Sequence, residues 1–429
     1  MLLSLKVKNF CSFRDEFEFS MKPGKVMPRF SDNVINLGNK KVSKVCVVAG
    51  ENAGGKTSFM RSLDYLKYLI EEGHGVSLKD LCYQNDDSIP QSFEIEAIIN
   101  NKIYKYTLEF KNSIINLESL KIRNLSYNSG NEDIIFISKL KNITEDKIAM
   151  SLKLSSKYIP EEIISILKKK DNDKIESSKG LLLNKLSSLD IKVIQDFVLW
   201  IKNKVIVKLP NQYSLNIYKQ YEKNNDDLEI LKQKEFIEIF SLVDPSIVDV
   251  IVDDKEPFED SIIVRKMRDG KIFKIKIKND SSGVIDFFAW SIEIWKVIYR
   301  DAILFADELD KVLNSILSNK VLNYVKVMAK KGQFIFTTHN VLHINTIDFM
   351  KEQIYFVNKN LEDLSSEMYP LSAFPEYRYE KYDVYDLYLR GLLGDIKIKN
   401  KKIILNSDFE TVKNSNMCDF FDIIEKSAE

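Results

Sequence analysis

A chain of 429 residues, 45% hydrophobic and with 63 basic against 63 acidic side chains, can bury one large core plus a smaller subdomain and carries no global field to attract a polyanion. No run of about 18 apolar residues occurs and residues 2–19 read as paired strands rather than a signal peptide, so membrane insertion and secretion are not expected and a cytoplasmic protein is. Cys11, Cys46, Cys82 and Cys418 are scattered without metal-ligand spacing and read as reduced cytosolic thiols.

The first chemistry follows the apolar run Lys44-Val45-Cys46-Val47-Val48-Ala49, a buried strand by its composition. It enters Gly50-Glu51-Asn52-Ala53-Gly54-Gly55-Lys56-Thr57, the pattern G-x-x-x-x-G-K-[ST] of a phosphate-binding loop. Gly50, Gly54 and Gly55 let successive backbone N–H groups, with those of Asn52 and Ser58, converge on phosphates. Lys56 reaches the β/γ oxygens, and the Thr57 hydroxyl stands where Mg²⁺ needs an oxygen. Apolar positions at helical spacing from Thr57 to Leu66 put the positive end of a helix against the anion. A strand before and a helix after are the conditions that separate this loop from a chance glycine-rich turn.

Alternation then marks Phe93, Ile95, Ala97, Ile99 and Tyr104, Tyr106, Leu108, Phe110 about an Asn100-Asn101 turn, an antiparallel hairpin. Strand texture continues over 117–138 with a turn at Asn128-Ser129-Gly130-Asn131, which predicts an antiparallel lobe. From 142 to 256 the period becomes helical, through Ile163, Ile166, Leu167, Leu181, Leu182, Leu183, Leu186, Leu189, Ile194, Phe197, Val198 and Ile201. Lys168-Lys169-Lys170 leads straight into Asp171, Asp173 and Glu176 and reads as a solvated face, while Trp200 and the leucines read as core. Alternation returns over 261–277, with Arg265-Lys266-Met267-Arg268-Asp269-Gly270-Lys271 as a basic turn and a candidate phosphate-contacting patch.

Asp280-Ser281-Ser282-Gly283-Val284 opens an amphipathic segment. Ser281 or Ser282 is the N-cap, and the stretch is either a plain helix start or a second anion site. Ile303-Leu304-Phe305-Ala306-Asp307-Glu308 is an apolar strand ending in two acids: Asp307 to hold the metal and Glu308 as general base to a water. Phe334-Ile335-Phe336-Thr337-Thr338-His339-Asn340 is a third such strand. His339 occupies its tip, where parallel sheets put ligand-contacting groups, unlike His74 and His343.

In this order the four stretches resemble the ABC-class ATPase heads, and within them the bacterial OLD-like and abortive-infection ATPases related to SMC and RecF proteins. The opening Leu3-Ser4-Leu5-Lys6-Val7-Lys8-Asn9-Phe10-Cys11-Ser12-Phe13, the Ser281-Ser282-Gly283 signature, Asp307-Glu308-Leu309-Asp310 and the Thr337–Asn340 switch carry the resemblance, as do Gln353-Ile354-Tyr355-Phe356-Val357-Asn358-Lys359 and Asp386-Leu387-Tyr388-Leu389-Arg390-Gly391. It implies an α/β fold, a P-loop ABC-type ATPase head with a mixed central sheet, an antiparallel β lobe and a helical insertion, divided as 1–141, 142–256 and 257–429. It also implies ATP and Mg²⁺ as cofactors and a homodimer, in which nucleotide on Lys56 of one copy is closed over by Ser282 and Gly283 of the other. Asp310 then lies at the seam and His339 reads the γ-phosphate. A glutamine-bearing loop falls at Gln84 or Gln91. The chain departs from the pattern at Cys11, where relatives carry an arginine for which Arg14 is the nearest substitute, and at Asn314 and Ser315, where they carry His-Pro.

About ninety residues follow His339, too few for the acidic nuclease domain that OLD proteins append. The expectation is an ATP-hydrolysing subunit of an anti-phage or abortive-infection system acting with a separate effector, a nuclease or toxin. A DNA-repair head that binds nucleic acid is the alternative.

Overall fold

The computed structural model describes residues 1–405 except 39, 75–76, 127–131, 145–146, 171–179, 210–224, 361, 376, 380, 390–392, 394–395 and 400–401. The turn at 128–131, the side chains of Lys168, Lys169 and Lys170, the acids after them, Arg390, Gly391 and Cys418 lie outside it.

Six strands form the central sheet in the spatial order Val205–Lys208, Ile303–Ala306, Gln333–Thr338, Val45–Ala49, Ile354–Lys359, Ser366–Pro370. The first five are parallel and the last is antiparallel, so the sheet is mixed. Its inner strands are buried on both faces, which is why they read as unbroken apolar runs. The faces alternate strictly. Cys46, Val48, Ile303, Phe305, Ile335 and Val357 point to one core; Val45, Val47, Leu304, Ala306, Phe334 and Phe336 point to the other.

The first core is closed by the helix Lys56–Glu72 and by a seven-stranded antiparallel sheet. Phe59 anchors that helix, its ring 5.1 Å from Phe19 and 5.9 Å from both Phe17 and Phe305. Burying such a ring contributes about 1.5–3 kcal/mol, here spent on fixing the helix that follows the glycine loop. In the antiparallel sheet the hairpin Gln91–Ile99/Lys102–Lys111 turns at Asn100 and Asn101 with φ of 47° and 61°. Both lie in the left-handed region that a two-residue hairpin of this twist needs and that asparagine tolerates.

The stretch 142–256 contains the expected helices Glu161–Lys170, Leu182–Ser187, Lys192–Lys204, Asn225–Leu231 and Lys234–Phe240. Among the described residues it also supplies whole strands at Lys147–Leu154, Val205–Lys208 and Ile247–Ile251, and Val205–Lys208 pairs in parallel with the acidic strand. The helix before it lies on the antiparallel sheet: Phe197 meets Tyr106 at 5.4 Å and Tyr104 at 6.2 Å. Helical period finds such helices readily, but a four-residue strand at the end of one leaves almost no period of its own.

The second core is closed by the helices Ser282–Tyr299 and Ser315–Met328. In the latter, Lys326 is buried, donates to the Asp348 carbonyl at 2.9 Å and sits 4.4 Å from the Phe349 ring centre. Burial lowers its ammonium from 10.5 to about 8. Between those values the unfolded chain binds the proton and the folded chain does not, so stability rises with pH across that window. Urea titrations at pH 8 and pH 10 should show a larger gain for wild type than for Lys326→Met; equal gains would refute the assignment.

Candidate nucleotide-binding site

The strand Val45–Ala49 delivers the chain to the loop and the helix Lys56–Glu72 takes it up. Two glycines are dictated by geometry. Gly55 has φ 119°, and a Cβ at Gly50 would stand 2.2 Å from the Val357 carbonyl oxygen. The strand Ile354–Lys359 is therefore the floor of the loop. Asn52 and Thr57 are exposed, and Ser58 is half-buried as the third residue of the helix.

Lys56 is buried, and its Nζ donates to the carbonyls of Gly50 at 2.7 Å and Glu51 at 2.8 Å. Burial pushes its pKa down, against the pull of the nearby carboxylates of Asp307 and Glu308. The same Nζ is 3.4 Å from His339 Nδ1, and His339 Nε2 is 3.7 Å from Glu308 Oε1. An ammonium can only donate, so Nδ1 is the acceptor in the contact with Lys56.

Asp307 ends the strand Ile303–Ala306 fully buried. Its Oδ2 accepts from the Thr57 hydroxyl at 2.8 Å and its Oδ1 from the Thr337 hydroxyl at 2.5 Å. Burial raises its pKa, and those two hydrogen bonds oppose the rise. Glu308 follows at φ 52°, a left-handed conformation unusual for glutamate, and its N–H donates to the Thr337 hydroxyl at 2.7 Å. One threonine therefore orients both acids. The Glu308 carboxylate also pairs with Lys311 at 2.5 Å. Asp310 accepts from the His339 N–H at 3.1 Å, fixing the switch loop within the same chain.

Lys56, Thr57, Asp307, Glu308, Asp310 and His339 are thus joined through direct contacts. Ser282 and Gly283 are not among them. Ser281 holds the N-cap position of the helix Ser282–Tyr299 without a side-chain capping bond, and Ser282 and Gly283 are exposed, with nothing within 4 Å of where a Gly283 Cβ would be. Gly283 lines a cavity of about 520 Å³ with Arg265, Asp280, Val312 and Asn314.

The open choices at the sequence level separate here. Gln91 is buried with its amide used up, accepting from Ser77 and donating to the Asn9 carbonyl at 3.1 Å, whereas Gln84 is exposed beside Tyr83. Arg14 is engaged by Asp15 at 2.8 Å and by Asp363. Asn314 caps the helix Ser315–Met328, accepting from Leu317 N at 2.9 Å, and Ser315 accepts from Asn340 Nδ2 at 2.7 Å. His343 is buried between Ser318 and Thr338, and burial lowers its pKa.

Thr337 is the residue whose role the sequence left unread; the signal was a hydroxyl one position short of the tip of a buried strand. Thr337→Val keeps the shape and removes both hydrogen bonds. Phosphate release should fall by about ten- to a hundredfold with nucleotide binding nearly intact, since a hydrogen bond to a charged group is worth about 1.5–3 kcal/mol. Unchanged turnover would sink this role.

Together the sheet and the loop define a P-loop nucleotide-binding head of the ABC type, with one strand between the phosphate-loop strand and the acidic strand. The pattern of the family described as "AAA domain, putative AbiEii toxin, Type IV TA system" matches residues 45–345, and the chain belongs to that family. No curated protein matches. Among solved structures the chain is similar to the SMC head domain from Thermotoga maritima, 14% identical with a TM-score of 0.44, over 86% of this chain and 98% of that one. It is also similar to an SMC head bound to the C-terminal winged-helix domain of ScpA, at 15% identity and TM-score 0.43 over 86% and 97%. A third is the SMC head with an extended coiled coil bound to the C-terminal domain of ScpA from Pyrococcus furiosus, at 13% and 0.37 over 86% and 96%. Among the described residues no helix is long and apolar enough to cross a membrane.

Proposed function

We propose that the chain binds and hydrolyses ATP with Mg²⁺ as a pair of heads, and serves as the ATP-driven subunit of a bacterial anti-phage or abortive-infection system that controls a separate nuclease or toxin. The observation that carries the chemistry is the contact chain from Lys56 and Thr57 through Asp307 and Thr337 to Glu308 and His339. The family description, with its toxin–antitoxin wording, supports the setting.

Thr57 and Asp307 fit a magnesium ion: they already share a hydrogen bond, and such a metal takes one or two protein oxygens and completes its shell from phosphates and water. No group of three or more His, Cys, Asp and Glu that could hold a metal exists among the described residues, so this pair is the protein's share. Bound Mg²⁺ supplies charge neutralisation across the phosphate oxygens. Lys56 exchanges the two loop carbonyls for phosphate oxygens. Glu308 takes the proton of the attacking water, and His339, steadied by Asp310, faces the γ-phosphate.

Pairing is supported by the exposure of Ser282 and Gly283, with open space where a Gly283 Cβ would stand. The exposed Ile316 and Leu342 beside Asn314 and Asn340 are apolar surface suited to a second copy. Phosphate release by wild type, with light scattering of Glu308→Gln at saturating ATP, tests both halves. No release refutes hydrolysis, and single particles refute pairing. DNA-stimulated release would point to a repair head instead.

A further inference from the structure

Ahead of the helix Ser282–Tyr299 lies a three-stranded antiparallel sheet, Ile247–Ile251, Ile262–Lys266 and Ile272–Lys276, that belongs to neither large sheet. Its inner face is set by the register: Val250, Ile263 and Ile275 are aligned across it and pack on the second core. The same register aligns Ile251, Ile262 and Lys276, then Val264 and Lys274, then Lys266 and Ile272 on the outer face. Among the described residues Ile272–Lys276 has a neighbour on one side only, so half of its backbone donors and acceptors face outward.

Lysines on an edge are an ordinary guard against unwanted pairing. A guarded edge does not, however, leave Ile272 63%, Met267 50% and Phe273 45% exposed within one hairpin. The charge is also uncompensated. Arg265 is held by Asp280 and Asp244, Lys276 and Lys278 by Asp260, and Lys271 by Asp269, which leaves Lys266, Arg268 and Lys274 without an ion pair among the described residues.

We propose that this edge is the docking site for an extended, acidic segment of a partner protein, which adds to Ile272–Lys276 as a further strand. Main-chain hydrogen bonds supply the pairing; on one face of the edge strand Phe273 and Ile275 receive alternate apolar residues, and on the other Lys274 and Lys266, with Arg268 at the turn, select acidic ones. The apolar side of that edge decides for a peptide over a nucleic-acid duplex, whose charged backbone has no use for it. The proposal does not depend on ATP hydrolysis. On the proposed pairing of heads the edge also bears on the partner's nucleotide, because Arg265 of the middle strand pairs at 2.8 Å with Asp280, one residue before the N-cap position of the Ser282 helix.

The probe is an octapeptide alternating glutamate and valine, with its lysine–valine counterpart as control, titrated onto the full chain by fluorescence anisotropy and followed by hydrogen–deuterium exchange. The acidic peptide should bind, slow exchange over 272–276, and lose about tenfold or more in affinity to K266E/R268E/K274E. Phe273→Ser should weaken it with little loss of thermal stability, since that side chain is 45% exposed. Failure of the acidic peptide to bind, binding without protection of 272–276, or equal binding of both peptides would overturn the proposal. So would a DNA duplex that competes for the site, or a concentration-dependent self-association abolished by the same triple variant.

Discussion

Replacing Lys56 with alanine removes ATP binding: affinity should fall by about two orders of magnitude or more, because two charge-assisted hydrogen bonds to phosphate are lost at about 1.5–3 kcal/mol each. The nucleotide-free chain should barely notice. In it, Lys56 spends its protons on the carbonyls of Gly50 and Glu51, which lie in a loop whose Glu51, Asn52 and Ala53 are exposed, so water can replace the ammonium there. The expected pattern is lost nucleotide binding by isothermal titration with an unchanged far-ultraviolet spectrum and a melting temperature within a few degrees of wild type. Undiminished affinity would mean that the loop is a structural turn and that the nucleotide assignment is wrong.

Glu308→Gln is expected to do the opposite. The substitution keeps the size of the side chain, the left-handed backbone and the amide bond to Thr337, and removes only the capacity to accept a proton. Turnover should drop by about 10²–10⁴ while ATP binding persists, the range that a positioned base contributes. Two further contacts shape the result. Lys311 pairs with the carboxylate and His339 approaches it, so the glutamine frees one cation beside the phosphates and ground-state binding should tighten rather than weaken. If two heads share the nucleotide, the variant accumulates as a pair with ATP, and Ser282→Glu, which sets a carboxylate against phosphate at the far side, abolishes that pair while leaving ATP bound to single heads. A Glu308→Gln chain that releases phosphate at the wild-type rate would remove Glu308 from its assigned role.

Thr337, Lys56 and Asp310 show how the site works as one object. Removing any of them disturbs another member of the site, because Thr337 serves both acids, Lys56 touches His339 and Asp310 holds the His339 amide. Double variants across these contacts should therefore be non-additive, as groups that act as a unit are.

What the sequence by itself determined is whatever local rules encode: the glycine spacing before Lys56, the apolar strands ending in Asp307 and at His339, and the Asn100-Asn101 turn, each legible because backbone conformation and strand burial leave a mark within a few residues. The tertiary structure alone decided that Thr337 bridges Asp307 and Glu308, that Gln91 is buried while Gln84 is exposed, that Asp310 caps the His339 amide, and that Val205–Lys208 lies beside the acidic strand. Those contacts join residues tens of positions apart. A side chain's partner across a sheet is set by strand order and register, which no window of neighbouring residues contains.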